Sequence, residues 1–140
     1  MSNDDIDIDD AEFGPNSAPI STVIGDEPIV IASDTTLREA ARRLSDAGVG
    51  LIVVGSTADV EGVVSERDIV EAVAGGVDLD TTTVADVETK DHLDWATADS
   101  TIAEVADEMM RDYVRHILVT NGHKLIGVVS MRDVLALYVD

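Results

Sequence analysis

Apolar positions along this chain run through the same succession twice. An apolar stretch (Ile29, Val30, Ile31) precedes Leu37, Ala40, Ala41 and Leu44, which are spaced as one face of a helix. A continuous apolar run follows at 51–54, then a run ending Gly62-Val63-Val64, then a segment opened by Ser65. The succession restarts with Leu93 and Trp95 and a helical stripe of Ile102, Val105, Ala106, Met109 and Met110. A run at 117–119 and Gly127-Val128-Val129 before Ser130 complete it. Continuous rather than alternating apolar strands predict burial on both faces. The order β-α-β-β-α, read twice, predicts an α/β fold of two pseudosymmetric halves.

The wording repeats as well as the pattern. GVVSERDIV at 62–70 and GVVSMRDVL at 127–135 share six of nine residues at an offset of 65. At the same offset Asp34 matches Asp99, Thr36 matches Thr101, Leu37 matches Ile102, Glu39 matches Glu104 and Ala41 matches Ala106. A unit of about 60 residues has been duplicated; a solenoid would need at least three copies. The expected divisions are an acidic tail at 1–19, a first motif at 20–76, a linker at 77–83 and a second motif at 84–140. Within the tail, Asp5, Asp7 and Asp9 have the spacing of a calcium loop. Asp10 stands where that loop needs glycine and Asn16 where it needs a bidentate glutamate, so the motif is rejected.

Composition narrows the function classes. The chain has 140 residues, 45% hydrophobic, which suits a globular fold with a real core. No apolar run approaches the roughly 18–20 residues of a membrane span, and the acidic N-terminus has no signal-peptide pattern. A cytoplasmic location is expected. Cysteine is absent, which removes disulfides, thiol catalysis and thiolate metal sites. Twenty-nine acids stand against nine bases, a net charge of -20. Self-repulsion of that size opposes compactness, but at 1 M salt the screening length falls to about 3 Å; the charge fits a protein of a salty, halophilic cytoplasm. It also argues against nucleic acid, whose phosphates need clustered Lys and Arg.

The repeated Ser-x-x-Asp, Ser65 to Asp68 and Ser130 to Asp133, admits two readings. One is helix punctuation, a capping box with an acid in the first turn. The other is ligand binding: a helix N-terminus offers amides to a phosphate, and an Asp carboxylate can accept from a ribose diol. Thr36 with Glu39 and Thr101 with Glu104 also have capping-box spacing. Arg115 and His116 align with Val49 and Gly50, so only the second copy brings a cation and a polar ring to its strand start.

Together the D-x-T-[LI]-x-E opening at 34–39 and 99–104, the VRHILV strand at 114–119 and the doubled GVVSxRD resemble a tandem pair of cystathionine β-synthase (CBS) domains, a Bateman module. The resemblance spans about residues 20–139. It implies two CBS motifs packed as one module that binds adenosine-containing ligands (AMP, ADP, ATP, sometimes S-adenosylmethionine or NAD) in clefts between the halves. Such a module usually regulates an attached enzyme or transporter. Carried over residue by residue, one cleft would take Thr36, Val49, Gly50, Leu51, Arg115, His116, Ile117, Ser130, Arg132 and Asp133, and the second Ser65, Asp68 and Thr101. Asp68 and Asp133 would hold ribose hydroxyls, and Arg115 makes the cleft with Asp133 the better site for a phosphorylated ligand. The resemblance also implies a homodimer, with an apolar helix stripe continuing through Met109 and Met110.

Other candidates are weaker. Arg67 and Arg132 share a repeat position and either face solvent or reach phosphates. His92 and His123 have no neighbours at metal-ligand spacing, so no metal site is expected. Trp95 reads as core, and Met109 and Met110, which continue the helix stripe, as core or dimer contact. Gly48-x-Gly50 precedes a strand and lacks the third glycine of a dinucleotide fingerprint. Three functions are therefore ranked: an adenosyl-ligand sensor without catalysis or required cofactor, an assembly module with vestigial clefts, and last an enzyme, since only an acidic tail remains beyond the motifs. The sensor would pass its output to a separate effector protein.

Overall fold

The computed structural model describes residues 15–138 except Asp26; the calcium-like Asp5–Asp9 stretch lies outside them. The predicted order is realised twice. In the first repeat β1 (Val30–Ile31), α1 (Leu37–Ala47), β2 (Leu51–Gly55), β3 (Val60–Ser65) and α2 (Glu66–Ala74) follow one another. In the second, β4 (Trp95–Thr97), α3 (Ile102–Asp112), β5 (His116–Thr120), β6 (Leu125–Ser130) and α4 (Met131–Leu135) do the same. Each repeat makes a three-stranded sheet, ordered β1-β2-β3 and β4-β5-β6. β1 runs parallel to β2, β2 antiparallel to β3, and β4 parallel to β5. The three central residues of β2 and of β5 are buried, as continuous apolar runs require.

The residues divide into two compact units. One comprises 27–93 with 123–125, the other 15–25, 94–122 and 126–138. In the first, Leu37, Ala40 and Leu44 of α1 pack with Ile52 and Val54 of β2, Val64 of β3 and Ile69 of α2. In the second, Ile102, Val105 and Met109 of α3 pack with Ile117, Val119 and Val129. Met109 is core, whereas Met110 stands 71% exposed. Trp95 is not core: it is exposed, and the strand's alternation turns Ala96 inward instead.

Two short segments are exchanged between the repeats. The 3₁₀ turn Ile20–Val23 opens the first motif in sequence, yet Ile20 is fully buried in the second unit's core. The amide of Ile102 donates to Ala18 O at 2.9 Å, that of Ile20 to Ser100 O at 2.6 Å and that of Ser21 to Ala98 O at 3.3 Å. The 3₁₀ turn Val84–Asp86 opens the second motif and does the same for the first unit. Leu37 donates to Thr82 O at 2.9 Å, Val84 to Thr35 O at 2.9 Å and Ala85 to Ser33 O at 3.1 Å. Bridges pair Pro19 with Thr101 and Thr36 with Thr83. Residues 15–19, assigned above to the tail, and 77–83, assigned to a linker, thus include backbone that closes the first turn of a helix.

The second segment is also held by side chains. Arg38 Nε donates to Asp80 Oδ1 at 2.5 Å and its second nitrogen to Oδ2 at 3.3 Å. That hydrogen bond, with the charge behind it, holds the Asp80 carboxyl below its usual range and raises the Arg38 guanidinium. Both side chains are more than half exposed, so the pair adds little to stability.

The repeated glycine of Gly-Val-Val finds its reason in this exchange. Thr89 pairs with Val63 through bonds of 2.8 and 2.9 Å, which lays the segment across β3 at buried Gly62. A Cβ on Gly62 would stand 2.7 Å from Thr89 O and 2.5 Å from Glu88 Oε1, a buried oxygen without a hydrogen-bond partner among the described residues. A Cβ on Gly127 would stand 2.6 Å from Cγ2 of Ile24, the counterpart of Glu88. Backbone cannot yield as a side-chain methyl can. Gly62→Ala is therefore expected to cost about 2–3 kcal/mol and Gly127→Ala about 1 kcal/mol, read from denaturant midpoints at unchanged slope. Equal costs would contradict this account.

Candidate functional site

Each Ser-x-x-Asp sits where the third strand of its sheet turns into a helix. At the end of β3, Ser65 Oγ accepts from the Asp68 amide at 3.1 Å. Asp68 Oδ2 accepts in return from the Ser65 amide at 2.8 Å and from its hydroxyl at 3.0 Å. At the end of β6, Ser130 Oγ accepts from the Asp133 amide at 3.1 Å, and Asp133 Oδ2 from the Ser130 amide at 2.9 Å. Both are full capping boxes, so the punctuation reading holds. Among the described residues, no hydrogen bond engages Oδ1 of either carboxylate. Punctuation therefore uses one oxygen and leaves its neighbour open.

The strand starts come to the same places. The Glu66 amide donates to Gly50 O at 3.0 Å, and Leu51 pairs with Ser65 across the sheet. The Met131 amide donates to Arg115 O at 2.7 Å. Gly50, Leu51, Ser65 and Asp68 thus gather in the first unit, and Arg115, His116, Ser130 and Asp133 in the second. The same bonds reduce the supply of anion-binding amides. With the first amide given to a carbonyl and the third to serine, only those of Arg67 and Arg132 have no hydrogen bond among the described residues.

Thr36 and Thr101 open the other pair of helices. Each is the N-cap of its unit's first helix, with its side chain accepting from the Glu39 or Glu104 amide. Thr101 completes a capping box; at Thr36 the Glu39 carboxylate turns to Arg42 instead, at 2.6 Å. Within the first unit, Thr36 and the Val49–Gly50 pair lie at opposite ends of α1, about 16 Å apart along its axis. Ile117 is buried in the core, while Val49, Arg115 and Arg132 are exposed and His116 is half-buried.

The two helix starts carry opposite charge. Glu66 and Asp68 outnumber Arg67 in the first, a balance of -1; Arg115 and Arg132 outnumber Asp133 in the second, a balance of +1. Arg67 is drawn along its own helix to Glu71 at 3.8 Å. An open hollow of about 490 Å³ adjoins the first start, lined by Leu44, Ser45, Gly48, Glu66 and Ile69. A hollow of about 320 Å³, lined by Thr97, Asp99, Thr120 and Asn121, lies at the far end of β5 from His116. Carboxylate oxygens of Asp94, Glu108 and Asp112 lie within 4.8 Å of one another. No helix among the described residues is long and apolar enough to cross a membrane.

A family profile described as the CBS domain matches residues 20–75 and again 84–140. The chain belongs to the CBS domain family. An uncharacterised 17.7 kDa protein of Acidianus ambivalens is 32% identical over 123 residues, 86% of this chain and 73% of that one. A solved CBS domain protein of Pyrobaculum aerophilum, in complex with AMP, is 29% identical with a TM-score of 0.75, over 82% of this chain and 88% of that one. A CBS-domain-containing protein of Agrobacterium tumefaciens is 27% identical with a TM-score of 0.77, over 86% of this chain and 99% of that one. The two CBS motifs are thus the two repeats, each with its capped helix start.

The exchanged segments were not anticipated. Their only sequence signal is the apolar pair Ile20 and Val84, each following a polar stretch, which is too common a pattern to single out. The carbonyls of Gly50 and Arg115 left none, since any residue supplies a carbonyl.

Proposed function

We propose that this CBS pair is a non-catalytic regulatory module that binds an adenosine-containing ligand of the AMP, ADP or ATP class. The open Oδ1 of the Asp beside each capped helix start carries the reading: a ribose diol can donate to it while Oδ2 keeps its capping bonds. The AMP complex of the Pyrobaculum relative supports the ligand class. The start formed by Arg115, His116, Ser130, Arg132 and Asp133 is the phosphate-bearing site, because its cations stand in a chain of net charge -20. The start with Ser65, Glu66 and Asp68 takes a less charged adenosyl ligand such as S-adenosylmethionine. The output passes to a separate effector protein in the cytoplasm.

Exposed apolar side chains on the second helices favour assembly as well. Val70 and Val73 of α2 are 64% and 55% exposed and Leu135 of α4 is 55% exposed. A homodimer in which these faces are covered is the assembly proposed, and it does not require vestigial ligand sites.

Asp133→Ala is expected to lower nucleotide affinity about ten- to a hundredfold, the loss of a charge-assisted hydrogen bond of roughly 1.5–3 kcal/mol. Ser130→Ala, at about 1 kcal/mol of helix-start stability, controls for unfolding. Isothermal titration with AMP and thermal melts on both variants decide it: a melting change without an affinity change at Asp133 leaves only punctuation. Light scattering in molar salt should return twice the chain's mass, and a monomer would refute the dimer. Melting temperature should fall as KCl drops below roughly 0.5 M, because screening of the acids fades; a salt-independent melt would dismiss the halophilic reading.

A further inference from the structure

The hollow of about 490 Å³ in the first unit opens where α1 ends in small residues, Ser45 and Gly48. Its floor is apolar: Leu44 and Ile69 are buried, and Val70 beside them is exposed. At the same offset of 65, the second unit has Met110, Tyr113 and Leu135 in place of Ser45, Gly48 and Val70. These are 71%, 94% and 55% exposed. The core does not claim Met110, since Met109 takes the inward position. One repeat is thus recessed where the other projects.

The rims differ in sign as well. Arg42 lies one helical turn from Ser45, and its equivalent, one turn from Met110, is Asp107. Across α1, three Arg against Glu39 and Asp46 leave a balance of +1. Across α3, Arg111 against Glu104, Asp107, Glu108 and Asp112 leaves -3. Two first units face to face would set recess on recess and base on base. Two second units would set Met110 on Met110 and acid on acid. A first unit against a second joins projection to recess and base to acid. We propose that the homodimer is crosswise: Met110 of one copy enters the hollow beside Ser45 of the partner subunit, and the same contact is made a second time with the roles exchanged. The inference rests on the dimer reading above and adds its orientation. Methionine, unbranched and flexible, suits an irregular hollow. In molar salt the screening length of about 3 Å leaves charge effective only at contact range, so shape supplies affinity while charge disfavours like pairing.

The chain has no cysteine, so single introduced thiols report the orientation. Ser45→Cys and Met110→Cys are made in separate full-length chains, which are purified alone or co-expressed and treated in molar salt with a short bismaleimide. A covalent dimer is expected from the co-expressed pair and not from either variant alone. Linking of either variant with itself, as readily as in the pair, would mean that like units meet and would overturn the proposal. Absence of any link in a pair that light scattering shows to be dimeric places the interface elsewhere and also overturns it. A monomeric mass for the unaltered chain refutes the dimer reading itself, and the orientation with it. As a second measure, Met110→Ser should raise the dimer's dissociation constant about ten- to a hundredfold, the loss of one buried methionine side chain. An unchanged constant would mean that the hollow is not filled by Met110.

Discussion

Neither repeat closes its own first helix. The amides that open α1 and α3 need acceptors, and backbone preceding the other repeat supplies them: Thr82 O for Leu37 and Ala18 O for Ile102. Because Val84 and Ile20 are fully buried beside those bonds, each exchanged segment brings core as well as hydrogen bonds. Removing one repeat would strip the other of a helix closure and of a core side chain. This explains why the motif occurs here as a pair: the duplicated unit in sequence is not the folded unit in space.

The exchange also accounts for the words repeated in the chain. Gly62 and Gly127 are small because Thr89 and Ile24 cross them. The two valines that follow each lie on a strand leading to a serine that caps a helix, and the Asp three residues on returns the bond. Packing, strand exit and helix start are thus written into one short stretch, and the ligand role proposed for Asp would add to its structural one without displacing it. The carboxylate has two oxygens, and the cap uses one.

Pseudosymmetry of the backbone does not extend to chemistry. Met131 replaces Glu66, Tyr113 replaces Gly48, and Arg115 and His116 stand where the first repeat has Gly50 and Leu51, not Val49 and Gly50 as read from the sequence, because the equivalent strands start at Leu51 and His116. Each change leaves the hydrogen-bond frame intact, because that frame uses main-chain atoms and the paired Ser and Asp. Side chains at the two helix starts are therefore free to diverge, and they have diverged in charge. A duplicated module can in this way hold two unlike sites on one scaffold.

The order of elements, the duplication, the buried central strands and the capping pairs were legible in the sequence because they depend on local spacing: a period of 3.6 on α1, uninterrupted apolar runs in β2 and β5, and Ser three residues before Asp. Trp95 was misjudged because hydrophobicity alone does not say which face of a short strand turns inward. The partners of the helix-opening amides and the crossing of Gly62 by Thr89 were decided only by the tertiary structure. Those contacts join residues far apart in the chain, or use carbonyls that every residue carries, so no residue type marks them in advance.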